Sequence, residues 1–280
     1  MVLLALMQAN SAVLDVEANC AVVNDAARRA AAAGAAVLLT PELFAVGYAP
    51  LRVRAELDPG RLPAIRRALA DIARRNSIAL VYSLPAVTGE GLWQITSTLV
   101  DREGSELLNY AKVHLFGAEE REAFNAAAEP PAVVDFLGFR TSMVICYDVE
   151  FPETVRAAAA RGAELLLVPT ALSQGFESVP QILLRARALE SQLTVAYANH
   201  SGVEEGCEFL GGSVIAGPDG AVLAAAGTAP ELLFAEVGAE AARDARDAVP
   251  YLRERRPDVY RAWEMDGPEA AAPVEGPSTY

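Results

Sequence analysis

Three side chains, far apart in the chain, are of types that together could do acyl chemistry. Cys146 closes the apolar run Met143, Val144, Ile145, and Phe151, Pro152 and Glu153 follow, with proline and an acid beginning a helix. A cysteine at such a strand-to-helix turn sits where open α/β sheets build their sites, and the turn's N–H groups favour thiolate, the nucleophilic form. The plainer alternative is a small apolar filler at the end of a core strand. Glu42 follows Pro41 at the end of another apolar run, where loss of water would raise a carboxyl pKa toward the range of a general base. It could equally be an exposed turn acid. Lys112, in the second half of the aromatic-rich strand around Tyr110 and Phe116, can offer an ammonium to a developing oxyanion or simply reach solvent. His114 or His200 with Cys146 would make a rival dyad, that of a cysteine protease or acyltransferase.

Those residues need rigid elements behind them. Met1 to Met7 reads as a first strand, and 15–33 as a helix closed by Gly34. Residues 36–40 form a strand apolar on both faces, as in a sheet covered on both sides. A helix over 58–76 leads to a strand at 78–83, and 93–101 with 105–115 read as two antiparallel strands. After a loop rich in Glu and Ala come 133–136, the strand of Cys146, a helix over 153–161 and a strand at 165–168. A helix over 179–192, strands at 193–199, 209–216, 221–225 and 231–237, and a helix over 239–248 complete the pattern. Gly34 to Pro41 and Gly162 to Pro169 repeat one αβ unit, with a helix-ending glycine seven residues before a proline. That register matches Thr170 to Glu42 and places both at strand ends on one side of the fold.

Composition narrows the classes. The chain has 280 residues, 52% hydrophobic and 21% charged, as globular proteins do. A net charge of −14 argues against nucleic-acid and anionic-membrane surfaces, which need clustered Lys and Arg. Met1 to Met7 lacks a basic flank, and Gln8 and Asn10 come too soon for a signal peptide or membrane span. Cys20, Cys146 and Cys207 are odd in number and widely spaced, which suits a reducing cytoplasm and no structural zinc. No Gly/Ser linker interrupts the pattern, so residues 1–263 read as one domain and 264–280, rich in Pro, Glu and Ala, as a flexible tail.

Taken in order, Pro-Glu at a strand end, Tyr110-x-Lys112-x-His114-Leu-Phe116, and Cys146-Tyr-Asp-x-x-Phe-Pro-Glu153 resemble the Glu, Lys and Cys signatures of the nitrilase superfamily of carbon–nitrogen hydrolases. The resemblance runs from Val2 to about Trp263 and includes Pro250-Tyr-Leu-x-x-Arg-Arg-Pro257. Within it the chain looks most like the aliphatic amidases of the 5-aminopentanamidase kind, and Tyr147-Asp148 speaks against nitriles. The resemblance implies an α/β fold, an αββα four-layer sandwich, with Cys146 as nucleophile, Glu42 as general base, and Lys112 with the Tyr147 N–H at the oxyanion. It implies a second glutamate soon after Lys112. Glu119 and Glu120 both fit, and the spacing to Phe124 favours Glu120, although Phe124-Asn-Ala-Ala127 departs from the usual Phe-x-Pro-Gly. Thr170, and Glu150 with Tyr48 or Asn199, are the expected substrate contacts. Glu150, where many relatives carry Arg, would favour a substrate with a positive amino end, or else sit in a structural ion pair. No metal or organic cofactor is implied. The implied ligand is a small amide, the implied assembly a homodimer or larger, and the alternatives are a carbamoyl amine hydrolase, a nitrilase or a cysteine acyltransferase.

Overall fold

The computed structural model describes residues 1–265. Two six-stranded sheets carry the fold. The first begins with β1 (Val2–Gln8), β2 (Val37–Leu39), β3 (Ala79–Val87), β4 (Trp93–Val100) and β5 (Glu106–Ala111). The second takes β6 (Val133–Phe136), β7 (Phe139–Met143), β8 (Leu165–Pro169) and β9 (Thr194–Ala198). A hairpin of β10 (Ser201–Glu204) and β11 (Cys207–Leu210) follows, and then β12 (Val214–Ala216) and β13 (Val222–Ala225) complete the second sheet. Last, β14 (Glu231–Val237) returns to pair antiparallel with β1.

Each sheet has a parallel centre, β1-β2-β3 in one and β7-β8-β9 in the other, with antiparallel strands outside it. Strands β1, β2 and β3 face β8 and β9 across the interior. Helices α1 (Val16–Ala32) and α3 (Leu62–Asn76) cover the outer face of the first sheet, with the short α2 (Pro50–Glu56) between them in sequence. After α4 (Gly117–Ala123), helices α5 (Pro152–Ala160) and α6 (Leu184–Ser191) cover the second sheet. This is the αββα sandwich. It explains why β2, β8 and β9 are buried along their whole length and carry no polar alternation. In α3 the buried Leu62, Ile65, Leu69, Ile72 and Ala73 recur at three- and four-residue spacing, so one stripe faces the sheet while Arg67, Arg74 and Arg75 face water.

Several boundaries move from the sequence expectation, each for a local reason. The strand expected over 105–115 ends at Ala111, because Lys112 onward turns away to carry α4, which stands where a loop was expected. The strand expected over 209–216 splits. Gly211 and Gly212 take left-handed φ values of +69° and +65°, which breaks the ladder, so β11 joins a hairpin and β12 the second sheet. The helix expected over 179–192 opens with a wide π turn at Val179–Leu183 before α6. Beyond β14, α7 (Ala239–Ala248), α8 (Tyr251–Glu254) and α9 (Pro257–Met265) run to the end of the described chain. The tail expected at 264–280 lies outside the described residues, apart from the two that close α9.

Candidate active site

The repeated αβ unit brings the first residues of the site together. Gly34 and Gly162 both have left-handed φ, +86° and +93°, and end their helices as the sequence suggests. The strands after them, β2 and β8, stop side by side across the two sheets, and the Glu42 N–H donates to the Thr170 carbonyl at 3.1 Å. Leu43 then turns the chain with φ +53°, which aims Glu42 inward. Cys146 itself has φ +47°, a region costly for a residue with a side chain, of order 1 kcal/mol or more, and kept only where surrounding packing demands it. It opens a single 3₁₀ turn, Cys146–Glu150, and the α-helix starts only at Pro152. Lys112 lies just past β5, pinned by its N–H to Ile95 O and by its carbonyl to Ala127 N, both at 2.9 Å.

These four turns converge. Lys112 Nζ is 2.7 Å from Glu42 Oε1 and 2.7 Å from Glu120 Oε1, and all three side chains are fully buried. Glu120 is held in turn by the Phe116 N–H at 2.8 Å and the Tyr48 hydroxyl at 2.5 Å. Burial, helped by the Glu120 charge, outweighs the pull of Lys112 and leaves the Glu42 carboxyl raised to about 7. Burial would lower the Lys112 ammonium, but the attraction of Glu120 and Glu42 outweighs it and holds Lys112 well above its usual range. The Cys146 thiol interacts with the same Glu42 carboxylate.

One expectation reverses here. Burial and the Glu42 charge push the Cys146 thiol up, against the pull of Lys112, so the resting form is the neutral thiol rather than thiolate. A buried thiol of this kind becomes a nucleophile only if a base removes its proton as it attacks. The carboxyl that interacts with this thiol, that of Glu42, is raised to about 7.

The remaining expected residues divide. Glu119 is exposed and Glu120 is buried against Lys112, so the structure brings the second to the site and leaves the first outside. Tyr48 touches Glu120, and Thr170 gives its carbonyl to Glu42. Tyr147 packs its ring edge-on against Phe116 and Phe151. Glu150 is half-buried, with its carboxyl raised by burial to about 6 against the pull of Arg187, and its carboxylate forms no ion pair among the described residues. Asn199 differs from expectation. Its Oδ1 accepts from Leu172 N, and its amide hydrogens go to Leu172 O and Gly211 O at 3.0 and 2.7 Å, so it ties two loops together and has no donor left over.

The rival dyad is not assembled. His114 Nδ1 lies 2.8 Å from Asp148, and its ring stacks on Phe151. His200 has both ring nitrogens occupied, by Glu204 and by the Glu42 carbonyl. The charges acting most strongly on the Cys146 thiol are Glu42, Lys112 and Glu120.

Asp148 is the tie between the cysteine turn and the lysine strand, a role its place in the motif does not suggest. It accepts from Tyr110 OH at 2.9 Å, from His114 N at 2.8 Å and from Ile145 N at 3.3 Å. A buried carboxylate that gathers donors from both neighbours fixes their relative position. The only signal in the sequence was an acid two residues after a buried cysteine. Phe116, Phe151 and Phe176 were also missed as a group, and with Tyr147 they line one aromatic wall. Their spacing in sequence gives no hint of that contact.

Comparison with known proteins matches residues 3–247 to the model of the carbon-nitrogen hydrolase family. A protein described as "Hydrolase in pqqF 5'region" from Pseudomonas protegens is 37% identical, over 91% of this chain and 90% of its own. The 2-oxoglutaramate amidase of Bacillus subtilis is 31% identical over 80% of this chain and 86% of its own. A solved mutant of the amidase from Nesterenkonia sp. AN1, with acrylamide added at the active site cysteine, is 46% identical with a TM-score of 0.88, covering 94% of this chain and 100% of that one.

Proposed function

The chain belongs to the carbon–nitrogen hydrolase family, and from that premise we propose that it is an amidase cleaving small linear amides to carboxylate and ammonia through a thioester on Cys146. The observation that carries this reading is the dry cluster in which Glu42 and Glu120 bracket Lys112 beside the Cys146 thiol. The amidases among the relatives, one of them with acrylamide on its active site cysteine, support it.

In this reading Glu42 takes the thiol proton as Cys146 sulfur attacks the amide carbonyl carbon. The negative oxygen that forms is held by the Lys112 ammonium and the Tyr147 N–H. The C–N bond breaks as Glu42 hands its proton to the nitrogen, and ammonia leaves. Water then attacks the thioester, giving a proton to Glu42; the C–S bond breaks, and the proton returns to sulfur. Glu120 keeps Lys112 charged and aimed, since its carboxylate accepts a hydrogen bond from one of the three ammonium N–H groups. The aromatic wall of Phe116, Tyr147 and Phe176 suits the apolar part of a substrate.

Glu150 extends the reading to amides with a cationic far end. Its carboxylate is half-buried and has no ion-pair partner among the described residues, which leaves it available to an ammonium. A homo-oligomer also belongs to the proposal. Ile182 and Leu189 are exposed and line one groove beside α6 with Ala186, which a second copy would cover. Light scattering behind a sizing column tests that assembly. No helix among the described residues is long and apolar enough to cross a membrane. The free cysteines are in keeping with a reducing cytoplasm.

The deciding experiment measures ammonia release from a panel of amides, nitriles and carbamoyl amines, with Cys146→Ala as control. Amide turnover that needs Cys146, with a trapped acyl mass on that residue, is the expected result. Turnover confined to nitriles or carbamoyl amines, or unchanged in the alanine variant, overturns it.

A further inference from the structure

Behind the site lies a second buried polar cluster that the reaction as written does not use. Glu204, at the end of β10, is the acceptor at its centre. Its Oε1 accepts from Ser11 N at 2.9 Å, and its Oε2 accepts from Ser11 Oγ at 2.6 Å and from Tyr48 N at 3.1 Å. His200 stands beside it with Nδ1 2.7 Å from Oε1. The other ring nitrogen, Nε2, is 2.6 Å from the main-chain carbonyl of Glu42. His200 is fully buried, Glu204 and Ser11 nearly so, and the imidazole is wedged among the rings of Phe44, Tyr48 and Phe209.

The hydrogen-bond roles follow from chemistry. A carbonyl only accepts, so Nε2 carries a hydrogen and donates to Glu42 O. Nδ1 and Oε1 at 2.7 Å must then have a proton between them, since two bare lone pairs would repel. Desolvation would raise the Glu204 carboxyl, but His200 and the Ser11 donors outweigh it, so Glu204 is held in its charged form.

What this cluster grips is telling. Through His200 it holds the peptide carbonyl of Glu42, and directly it holds the N–H of Tyr48, whose phenol reaches Glu120. The loop 41–48 is thus clamped at both ends by one buried carboxylate, and its two ends serve the two glutamates that bracket Lys112. We propose that His200 and Glu204 are positioning residues, a clamp that sets Glu42 against Cys146 and Tyr48 against Glu120. The proposal rests on the amidase reading for its kinetic consequence, though not for its geometry.

Two replacements of His200 separate gripping from filling. Glutamine can place an amide donor near the Nε2 position and keep the Glu42 contact, whereas asparagine places its donor near Nδ1 and loses it. For a small primary amide such as propionamide, His200→Asn is expected to lower kcat about tenfold to a hundredfold with KM little changed, the range for losing one hydrogen bond that orients a charged group. His200→Gln is expected to lose several-fold less. Glu204→Gln keeps the volume, but its amide must face a backbone donor, either Ser11 N or Tyr48 N, and its kcat is expected to fall about tenfold.

The second readout needs no turnover. Each variant is treated with iodoacetamide, and the alkylation of Cys146 is compared by mass spectrometry with that of Cys20 and Cys207 in the same molecules. A displaced Glu42 slows Cys146 alone, whereas a loosened fold speeds all three. Equal kcat for the folded Asn and Gln variants, an effect on KM alone, or unchanged Cys146 alkylation in Glu204→Gln would overturn the clamp. Should the His200 variants fail to fold, Glu204→Gln decides. A wild-type protein inactive on every amide would sink the amidase reading, and the alkylation series would still judge the clamp.

Discussion

Lys112 Nζ stands 2.7 Å from Glu42 Oε1 with neither side chain exposed to water. An ammonium stripped of water is costly unless matched, and here it has two carboxylates to match it. The second carboxylate has a consequence for the first. With Glu120 beside Lys112, the lysine cannot fully quench the effect of burial on Glu42, whose carboxyl stays raised to about 7.

Removing the cation should therefore harm both turnover and stability. Lys112→Ala is expected to lower kcat roughly a hundredfold or more, because an oxyanion donor is worth about 3 to 4 kcal/mol. It also leaves two buried carboxylates facing each other, at a cost of about 3 to 5 kcal/mol, and this loss should shrink in acid as one of them takes up a proton. Steady-state kinetics with urea unfolding at pH 5 and pH 8 checks both. Equal loss of stability at the two pH values would count against the arrangement.

The proton affinity of Glu42 sets a pH profile. Because the base must be ionised, kcat/KM should rise with pH to a midpoint near 7 and level above it. Stability should move the other way. Glu42 has a native pKa raised from its ordinary 4.5 to about 7, so the folded state holds a proton the unfolded chain releases, and stability falls as pH climbs between those values. Glu42→Gln should lose activity by about a hundredfold or more and should not show that contribution to the decline. A rate that is flat between pH 5.5 and 8 would refute the assignment.

Tyr48→Phe deletes only the hydroxyl that donates to Glu120 Oε1. A hydrogen bond to a charged group is worth about 1.5 to 3 kcal/mol, so kcat should fall about tenfold or more with KM little changed. Loss confined to KM would show that the phenol meets substrate instead.

Asp148 should matter to the fold more than to the chemistry. Asp148→Ala strands the Tyr110 hydroxyl and the His114 and Ile145 N–H groups, and destabilisation of about 3 kcal/mol is expected by chemical denaturation. A midpoint within experimental error of wild type would show that water replaces these bonds.

Glu150 should decide between substrate tails. Wild type is expected to prefer 5-aminopentanamide over pentanamide, and Glu150→Gln to lose that preference by about fivefold or more while keeping its rate on pentanamide. Equal rates of the wild type on the two amides would remove the idea.

Much of this site could be read along the chain because its parts are local. Glu42 and Cys146 each end a short apolar run, Lys112 sits in an aromatic-rich segment, and the resemblance of their ordered motifs to the carbon–nitrogen hydrolase signatures linked them to one chemistry. The fold was legible for a similar reason: runs such as Val37–Leu39 and Leu165–Pro169, apolar on both faces, need a sheet covered on both sides. The choice between Glu119 and Glu120 came from spacing to Phe124, and the structure buries Glu120.

Other features depend on contacts between separate segments of the chain, which no local pattern encodes. Burial, and with it the neutral resting thiol of Cys146, depends on how four turns close over one another. The commitment of Asn199 to Leu172 and Gly211, and the tie of Asp148 to Tyr110, are of this kind. So is the grip of His200 on the Glu42 carbonyl, 158 positions away. Residue type and order are enough to say which chemistry the chain carries. Proton affinities and hydrogen-bond partners follow from distance and exclusion of water, and those quantities exist only once the two sheets have packed.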